Sequence, residues 1–369
     1  MKLTIAKEEL IAGLQAVQNV VGSRTTLPIL SNVLLQAQEG RLAFTATDLD
    51  VTVACTVEAK VARPGSTTLP ARRLFSIVRE LGTQEIEVEV DEKNSCSLVS
   101  GSSYFKINGL AAEEFPPLPT FADNRHVTLP QDKMKGMLRR TAFAVSNDEA
   151  RYVLNGLYFS FREHKVTMVA TDGRRLALTD EELDIPAESQ AEFIVPTKAI
   201  NELTRLLQDK GEVRITLGEN QAAFKMQAEG AFDILVISKL VDGTYPNYQQ
   251  VIPRESKERI ALVREELVQA LRRAELMTSD KSNSVKLGFG RNTLAITANS
   301  PEVGEARETL AINYKGAELA IAFNPSFLLD ALKALDDDEV YFELSDELSP
   351  GVVKTNGPFL YVIMPMRMN

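Results

Sequence analysis

The sequence contains no tryptophan, and it has only two cysteines and two histidines among its 369 residues. Such low numbers exclude a disulfide framework and a metal site built from Cys and His clusters. Cys55 and Cys96 lie in strand-like segments, and we interpret both as small buried or half-buried residues, with a disulfide between them as the alternative. His126 lies in a connector and His164 in a turn-like stretch, and neither has a Cys or carboxylate partner at ligand spacing.

Catalytic motifs are also missing. No Gly-rich loop ends in Gly-Lys-Ser or Gly-Lys-Thr, so the chain is not expected to hydrolyse ATP. The Gly pair at 288–290 is interpreted as a turn, and the acidic run 336–339 as a solvated loop between a helix and a strand, with a metal site as its alternative. Asp48 and Asp172 belong to different domains and need not converge. We therefore expect no catalytic centre, no cofactor and no metal.

Long apolar runs are absent as well. No run approaches the roughly 20 residues that span a bilayer, and the start of the chain lacks the basic and apolar regions of a signal peptide. A hydrophobic fraction of 44% and a charged fraction of 25% are typical of globular domains. We expect a cytoplasmic protein without membrane contact, and its length favours two or three domains.

What the sequence does contain is a threefold internal repeat. Two helix-like segments recur in the same order, with a short motif of the Thr-Ala-Thr-Asp type between them. The first segment occupies 4–20, 128–144 and 261–277, the second 69–81, 195–207 and 323–335, and the motif 45–48, 170–172 and 297–299. Copies lie 124 to 133 residues apart, far more than the period of solenoid repeats, so each copy is predicted to be a domain with its own core.

Periodicity predicts the structure of each domain. Leu10, Leu14 and Val17 recur at the three-to-four spacing of an amphipathic helix, and the second segment begins at Pro70, a residue favoured at helix starts. Other segments alternate with a period of two, as strands do. The fold class is predicted as α+β, with two helices on antiparallel sheet of about eight short strands in each domain. Clusters of Pro and charged residues place the three domains at 1–122, 123–253 and 254–369.

Motifs spread along the whole chain resemble one family. They are TTLPILSN at 25–32, RYVLNGLYF at 151–159, ATDGRRLAL at 170–178, SKLVDGTYPNY at 238–248 and VIMPMRMN at 362–369. Together they resemble the bacterial DNA sliding clamp, the beta subunit of the replicative DNA polymerase III. The resemblance implies a head-to-tail homodimer whose domains form a closed ring, with helices lining the hole and continuous sheet outside.

The same resemblance implies the function. Double-stranded DNA of any sequence passes through the hole, and the ring tethers the polymerase as a non-catalytic processivity factor. The implied partners are the polymerase alpha subunit, the clamp loader, and repair and translesion polymerases, all binding through short linear motifs. Two alternatives remain open at this stage: a specialised clamp paralogue conferring resistance to a clamp-binding compound, and a metal-dependent DNA-processing enzyme.

The distribution of charge bears on DNA binding. A net charge of −10 argues against it, because nucleic-acid binding normally needs a basic patch. Yet the six predicted helices together carry a net charge of +5 and the rest of the chain −15. These helices are predicted at 7–20, 70–81, 130–145, 196–210, 263–277 and 324–335. With the resemblance, we expect the helices to face phosphate; the alternative is that Lys and Arg merely keep long helices soluble.

By motif position, the resemblance places DNA contacts at Arg24, Arg72 and Tyr152. The alternatives are a solvated or capping arginine and a packed aromatic. Two residues depart from the family pattern at the same loop, since Asp148 replaces a neutral polar residue and Val153 a second tyrosine. An acidic and an aliphatic replacement predict a weaker DNA contact there.

The resemblance also places a groove for partner motifs similar to Gln-Leu-x-Leu-Phe between the second and third domains. The matching residues are Leu154, Thr171, Gly173, Arg174, Arg175, Leu176, Pro246, Val251, Asn324, Leu348, Val362, Ile363, Met364, Pro365, Met366 and Arg367. Methionine suits this role because its flexible side chain adapts to varied apolar ligands. The alternative is a last strand that completes the third sheet, and both can hold. Gln250 and Phe327 depart from the expected Arg and Tyr, which leaves the preferred partner motif open.

The dimer interface is the last site that the resemblance implies. Leu276 and Met277, after the first helix of the third domain, are expected to meet Phe105 and Ile107 in a strand of the partner subunit's first domain.

Overall fold

A computed structural model describes residues 1–22, 27–121, 125–227, 233–279 and 283–367. Within these ranges each repeat forms two α-helices. They are α1 (Lys7–Val17), α2 (Ala71–Glu80), α3 (Gln131–Thr141), α4 (Thr197–Leu206), α5 (Arg264–Glu275) and α6 (Pro325–Lys333). No helix in the described part of the chain has the length and apolar character needed to cross a membrane.

The strands are short and numerous in all three repeats. The first repeat contains β1 (Lys2–Ala6), β2 (Asn32–Gln38), β3 (Arg41–Thr47), β4 (Val51–Glu58), β5 (Lys60–Arg63), β6 (Gly65–Pro70), β7 (Glu85–Val90), β8 (Ser95–Ser100) and β9 (Ser103–Asn108). The second contains β10 (His126–Pro130), β11 (Gly156–Arg162), β12 (Lys165–Thr171), β13 (Arg175–Glu182), β14 (Ala191–Pro196), β15 (Glu212–Leu217), β16 (Gln221–Gln227) and β17 (Asp233–Lys239). The third contains β18 (Glu258–Val263), β19 (Val285–Gly290), β20 (Thr293–Ser300), β21 (Gly304–Ala311), β22 (Leu319–Phe323), β23 (Glu339–Leu344), β24 (Gly351–Lys354) and β25 (Phe359–Ile363). This is the α+β architecture that periodicity predicts.

All six helices lie inside the predicted segments, but each is shorter than predicted. The segment predicted at 130–145 is helical only as Gln131–Thr141 and then tightens into a 3-10 turn at Ala142–Ala144. Helix α6 starts with Pro325, and the side chain of Asn324 caps it by accepting a hydrogen bond from the Ser326 backbone N–H at 2.9 Å. Apolar periodicity continues into the turns that follow a helix, so it overestimates the helix length.

Helix α1 shows how a helix packs on its sheet. Leu10, Leu14 and Val17 are buried, as their spacing predicts. Gly13 lies on the same helix because the ring of Phe44 packs there, and a Cβ at Gly13 would lie 2.5 Å from its Cε2. The glycine costs some helix propensity, and the close approach of the ring explains its presence.

The strands form four sheets with antiparallel neighbours throughout. Their orders are β5-β1-β7-β8-β9, β10-β15-β16-β17-β4-β3-β2-β6, β14-β11-β12-β13-β25-β24-β23-β18 and β21-β20-β19-β22. Two sheets pass from one repeat into the next. Strand β17 pairs with β4, with Val236 opposite Val53, and β13 pairs with β25, with Leu176 opposite Val362.

Because two sheets are shared between repeats, the compact units of the chain do not coincide with the three repeats. The chain divides into two compact units, one comprising Met1–Lys135 with Lys198–Leu240 and the other Gly136–Thr197 with Val241–Asn369. Each unit contains one shared sheet, so the second repeat contributes strands to both units.

Both cysteines are free and buried, as the sequence predicts. Burial raises the pKa of the Cys55 and Cys96 thiols to about 12. Their environment therefore keeps them as neutral thiols, and they serve as small core residues.

Candidate partner groove and nucleic-acid interface

The end of the chain joins the sheets of the second and third repeats. Strand β25 lies between β13 and β24. Beyond it, the Met364 N–H donates to the Arg174 carbonyl at 2.9 Å, and the Met366 N–H donates to the Ala322 carbonyl at 2.8 Å. The end of the described chain thus belongs to a sheet, as one of the two alternatives predicts, and it also lies beside the turn before β13.

The predicted groove residues all lie in the second compact unit, and they differ in solvent exposure. Those that are buried are Leu154, Leu176, Val362 and Ile363. Those that are half-buried are Thr171, Arg175, Asn324, Met364 and Pro365, and those that are exposed are Gly173, Arg174, Pro246, Val251, Leu348, Met366 and Arg367.

Three of these buried residues, Leu154, Leu176 and Val362, belong to a wider apolar cluster. Its members are Leu154, Tyr158, Val169, Leu176, Ile194, Tyr245, Val352 and Val362. Leu176 and Val362 are only 2% and 1% exposed, so they support the groove from below. The apolar surface that a ligand can reach comes instead from Val251, Met366 and Leu348, the last being 76% exposed.

A tight turn between β12 and β13 carries the ATDG motif. The Thr171 hydroxyl donates to the Arg175 carbonyl at 2.6 Å and accepts from the Gly173 N–H at 3.1 Å. Asp172 Oδ1 accepts from the N–H groups of Arg174 and Arg175 at 2.8 and 3.0 Å. Gly173 has a φ of 85°, and a Cβ there would meet Arg151 Nη1 at 2.6 Å, so the position requires glycine.

The side chain of Arg175 extends from this turn into the protein, where only 10% of it is exposed. Its Nε donates to Asp172 Oδ2 at 3.1 Å, Nη1 to Asp330 Oδ2 at 2.6 Å, and Nη2 to the Phe143 carbonyl at 2.8 Å. The guanidinium carbon also lies 4.2 Å from the centre of the Phe327 ring. Burial disfavours the charge, but the hydrogen bond to Asp330 and the charges of the neighbouring acidic groups together outweigh it, and the pKa of Arg175 is raised.

A groove of about 1320 Å³ adjoins the predicted one and shares Pro246 with it. Its aromatic floor includes Tyr158 and Tyr245, whose rings stack at 4.9 Å, and Tyr248, at 5.9 Å from Tyr158. Burial is the main cause that raises the pKa of Tyr158 to about 12, and a hydrogen bond with Glu192 adds to it. Burial also raises the pKa of Tyr245.

The residues predicted to touch DNA lie in different places. Asp148, Tyr152 and Val153 belong to one 3-10 segment of the second unit, where Asp148 Oδ1 caps the turn by accepting from the Ala150 N–H at 3.0 Å. Tyr152 is exposed, with 59% of its surface accessible. Arg72 is exposed on α2 in the first unit and donates to the Val21 carbonyl at 3.2 Å. Arg24 lies outside the described residues.

Several helix cations are tied to neighbouring repeats within a unit. In the first unit, Lys198 on α4 pairs with Asp48, and Arg205 donates from Nη1 to the Gln15 carbonyl at 3.0 Å. In the second unit, Arg139 on α3 forms a two-pronged pair with Asp336. The net charge of a helix therefore overstates the charge it offers to phosphate.

The residues predicted for the dimer interface lie on or beside edge strands. Phe105 is exposed on β9, at the edge of its sheet, whereas Ile107 on the same strand is buried. Leu276 is 74% exposed and Met277 is half-buried, and both follow α5. Helix α5 packs against β21, which is the edge strand of the fourth sheet.

Sequence reasoning missed Asp330, Phe143 and Lys198 as partners of the turn motif. A usable signal exists for two of them. In the repeated second segment, Asp330 aligns with Glu202, and Lys198 aligns with Arg72, so charged residues recur at fixed helix positions. Phe143 acts through its backbone carbonyl, which no sequence pattern reveals.

Comparisons with known proteins agree along the full chain. Family models of the DNA polymerase III beta subunit match in order, the N-terminal domain at residues 1–119, the central domain at 128–247 and the C-terminal domain at 249–367. The chain is 39% identical over 369 residues to the beta sliding clamp of Chlamydia trachomatis, covering 100% of this chain and 88% of the relative.

Solved structures show the same likeness. A DNA polymerase sliding clamp from Bacillus subtilis matches with a TM-score of 0.94 and 33% identity, and a sliding clamp from Pseudomonas aeruginosa bound to griselimycin with a TM-score of 0.93 and 37% identity. Both matches cover 100% of each chain. Three clamp domains, with helices on antiparallel sheets, make up the chain, and it belongs to the family of DNA polymerase III beta subunits, the bacterial sliding clamps.

Proposed function

We propose that this chain is a DNA sliding clamp, a non-catalytic subunit that encircles duplex DNA and holds the replicative polymerase on it. The observation that carries the proposal is the full-length match in three consecutive clamp domains. We assign the domains to 1–122, 123–253 and 254–369. Its place of action would be the cytoplasm, where bacteria replicate their DNA.

The proposed ring is a head-to-tail dimer. Among the described residues, strands β9 and β21 each end a sheet, so one edge of each has no neighbouring strand. Pairing β9 of one subunit with β21 of the other would cover both edges. It would also bury Phe105 and Leu276, which are exposed in the single chain. Ile107 and Met277 would support that contact from the same two segments.

We propose that the direct contact with DNA is weak. Proteins that neutralise many phosphates bind tightly at low salt, whereas a sliding ring needs few and mobile contacts. The pairing of Lys198 and Arg139 with carboxylates supports this, since it leaves fewer free cations. Arg24, Arg72 and Tyr152 are the proposed contacts, with Asp148 and Val153 weakening the loop between α3 and β11. Retention on DNA then depends on closure of the ring.

The groove at the end of the chain is the proposed docking site for partner motifs. A Leu-Phe peptide end would lie against Val251, Met364 and Met366, above the floor formed by Leu176 and Val362. Apolar burial contributes roughly 25 cal/mol per Å², and the cost of ordering an unstructured peptide offsets much of it. We expect a Kd of micromolar order. The polymerase alpha subunit, the clamp loader, and repair and translesion polymerases are the proposed partners.

Topology provides the decisive experiment. The protein is loaded with a clamp loader onto nicked circular DNA, separated from free protein, and followed after the circle is linearised. A clamp stays on the circle and slides off the free ends, so release should follow cutting. Equal retention on both forms would contradict encirclement, and cleavage of the duplex when divalent metal is added would point to a DNA-processing enzyme.

A further inference from the structure

The groove of about 1320 Å³ is built on the sheet of the second compact unit. Its lining comes from strands β11 to β14, from the turn that joins β11 to β12, and from the connector at 243–252. Pockets for small molecules usually enclose about 300 to 1,000 Å³. The size of this groove therefore suits a stretch of polypeptide better than a single small molecule. We call it the tyrosine groove.

The floor of the tyrosine groove is apolar and aromatic. Tyr158 and Ile194 are buried there, and Leu178, Tyr248 and Ile252 are half-buried around them. The Tyr248 ring lies at 56° to the Tyr158 ring. Because Tyr248 is only half-buried, part of its surface remains accessible to a ligand.

Tyr248 also connects the floor to the charged rim of the groove. Burial is the main cause that raises the pKa of its hydroxyl, and the charge of Glu192 adds to it. The charges of Arg162 and Lys165 lower the same pKa. The hydroxyl therefore lies within reach of charged groups of both signs.

A fixed turn presents one carboxylate of this rim. The carbonyls of Glu163 and His164 accept hydrogen bonds from the N–H groups of Ile185 and Leu183, each at 2.9 Å. Glu163 has a φ of 51°, a left-handed conformation that costs free energy in a residue other than glycine. The two hydrogen bonds hold the turn in this conformation, and the exposed Glu163 side chain extends from it. Costly conformations that are held in this way are concentrated at functional positions.

The rim carries more negative than positive charge. The lining contains five carboxylates but only two permanent cations, which gives a net charge of −3 when His164 is neutral. Glu163 and Glu182 are exposed and form no ion pair with another described residue. Both cations, in contrast, are already paired, Arg162 with Glu192 and Lys165 with Asp180.

This charge distribution selects the occupant. A nucleic acid would be repelled, and a second copy of this chain, with its net charge of −10, would also be disfavoured. A basic segment would gain ion pairs with Glu163 and Glu182. Its cations could also lie over the ring of Tyr248. We propose that the tyrosine groove binds an extended basic segment of a protein partner, at a site separate from the groove at the end of the chain.

The test uses the labelled peptide acetyl-Lys-Arg-Phe-Lys-Arg-amide and measures its Kd by fluorescence anisotropy at low salt. Glu163→Gln combined with Glu182→Gln should weaken binding about fivefold, as the loss of two exposed ion pairs does. Both residues are exposed, so these substitutions leave the core intact. Tyr248→Ala should also weaken binding about fivefold, whereas Tyr248→Phe should change it less than about twofold because the ring remains.

The first unit supplies a matched control. Glu87→Gln combined with Glu92→Gln removes the same charge from exposed positions and should change the Kd less than about twofold. An equal loss in the two double variants would show general attraction to an acidic protein and would overturn the proposal. No binding by the unmodified protein would also overturn it. Displacement of the basic peptide by a saturating Gln-Leu-Ala-Leu-Phe peptide would place it in the other groove, with the same consequence.

Discussion

Arg139 and Asp336 lie 197 residues apart in the sequence, yet their side chains form a two-pronged ion pair, with 3.0 Å between Nη1 and Oδ1. The hydrogen bond with Arg139 holds the pKa of Asp336 below its usual value. The pair ties the end of α3 to the segment after α6. Its arginine is therefore a structural cation, although the sequence alone suggests a phosphate ligand.

This distinction predicts which arginines affect DNA binding. Arg139→Ala combined with Asp336→Ala removes no net charge and should leave the affinity for a short linear duplex within about twofold. Arg72→Ala should weaken that affinity and reduce the salt slope by about 1, as loss of one phosphate contact does. Fluorescence anisotropy across a salt series measures both. A similar loss of slope in the two variants would contradict the division.

Salt concentration should distinguish direct binding to a linear duplex from retention of a closed ring on circular DNA. The affinity for a short linear duplex should fall steeply as salt rises, because it depends on counterion release. Rings already loaded on circular DNA should persist at salt concentrations that abolish the first kind. Gel filtration of loaded circles over the same salt range makes the comparison. Identical salt sensitivity in both assays would mean that the protein grips DNA directly.

The proposed dimer interface predicts a loss that is specific to assembly. Leu276→Ala with Met277→Ala should shift sedimentation towards monomer, since truncation of large apolar residues that become buried typically costs about 2 to 5 kcal/mol. Leu348→Ala is the matched control, because Leu348 is as exposed as Leu276 but lies at the partner groove. It should remain dimeric. A double variant that stays fully dimeric below micromolar concentration would place the interface elsewhere.

Acid should weaken the first boundary through Asp48. Burial disfavours its charge, but the hydrogen bond and charge of Lys198, together with the Val51 and Asp50 N–H groups, outweigh this, so the pKa of Asp48 is lowered from 3.8. A lowered carboxyl pKa stabilises the fold above the unfolded value, and this stabilisation is lost as the pH falls through the folded value. The loss therefore begins below about pH 4.

Asp48→Asn tests this acid dependence directly. At pH 7 the substitution should lower the free energy of unfolding by about 2 kcal/mol, the cost of disrupting a partly buried charged hydrogen bond. It should also flatten the fall in stability below about pH 4. Asp50→Asn is the control, because its pair with Lys239 is exposed and contributes little. Urea unfolding at several pH values gives both results, and equal effects of the two substitutions would refute the assignment.

Removal of the groove wall should separate partner binding from assembly. Deletion of 364–369 takes away Met364 and Met366 but none of the proposed dimer contacts. We expect the truncated protein to remain dimeric and to lose both the Leu-Phe peptide and stimulation of the polymerase. Leu348→Ala should weaken the peptide in the same assay. Calorimetry that shows full peptide affinity after the deletion would place the partner site elsewhere.

The local hydrophobic pattern was sufficient to predict the helices and strands, because the apolar face of a helix, such as that of Leu10 and Leu14, is encoded within a few residues. It was not sufficient for the sheets that cross repeat boundaries. The pairing of Val236 with Val53 joins strands far apart in the sequence, and an edge strand carries no local mark of its partner. The groove followed from a resemblance, but the inward direction of Arg175 depends on Asp330, whose position only the folded chain defines.

The two internal Thr-Asp turns have a consequence for how copies of this chain assemble. Head-to-tail contacts close into a ring only when successive rotations add up to a full turn, and otherwise they continue as a helical filament. Lys198 and Arg175 tie neighbouring repeats to each other within each unit. A change in the angle between two repeats would be repeated at each copy. Loosening either side chain would then convert a discrete assembly into an open-ended polymer, even with the subunit contact intact.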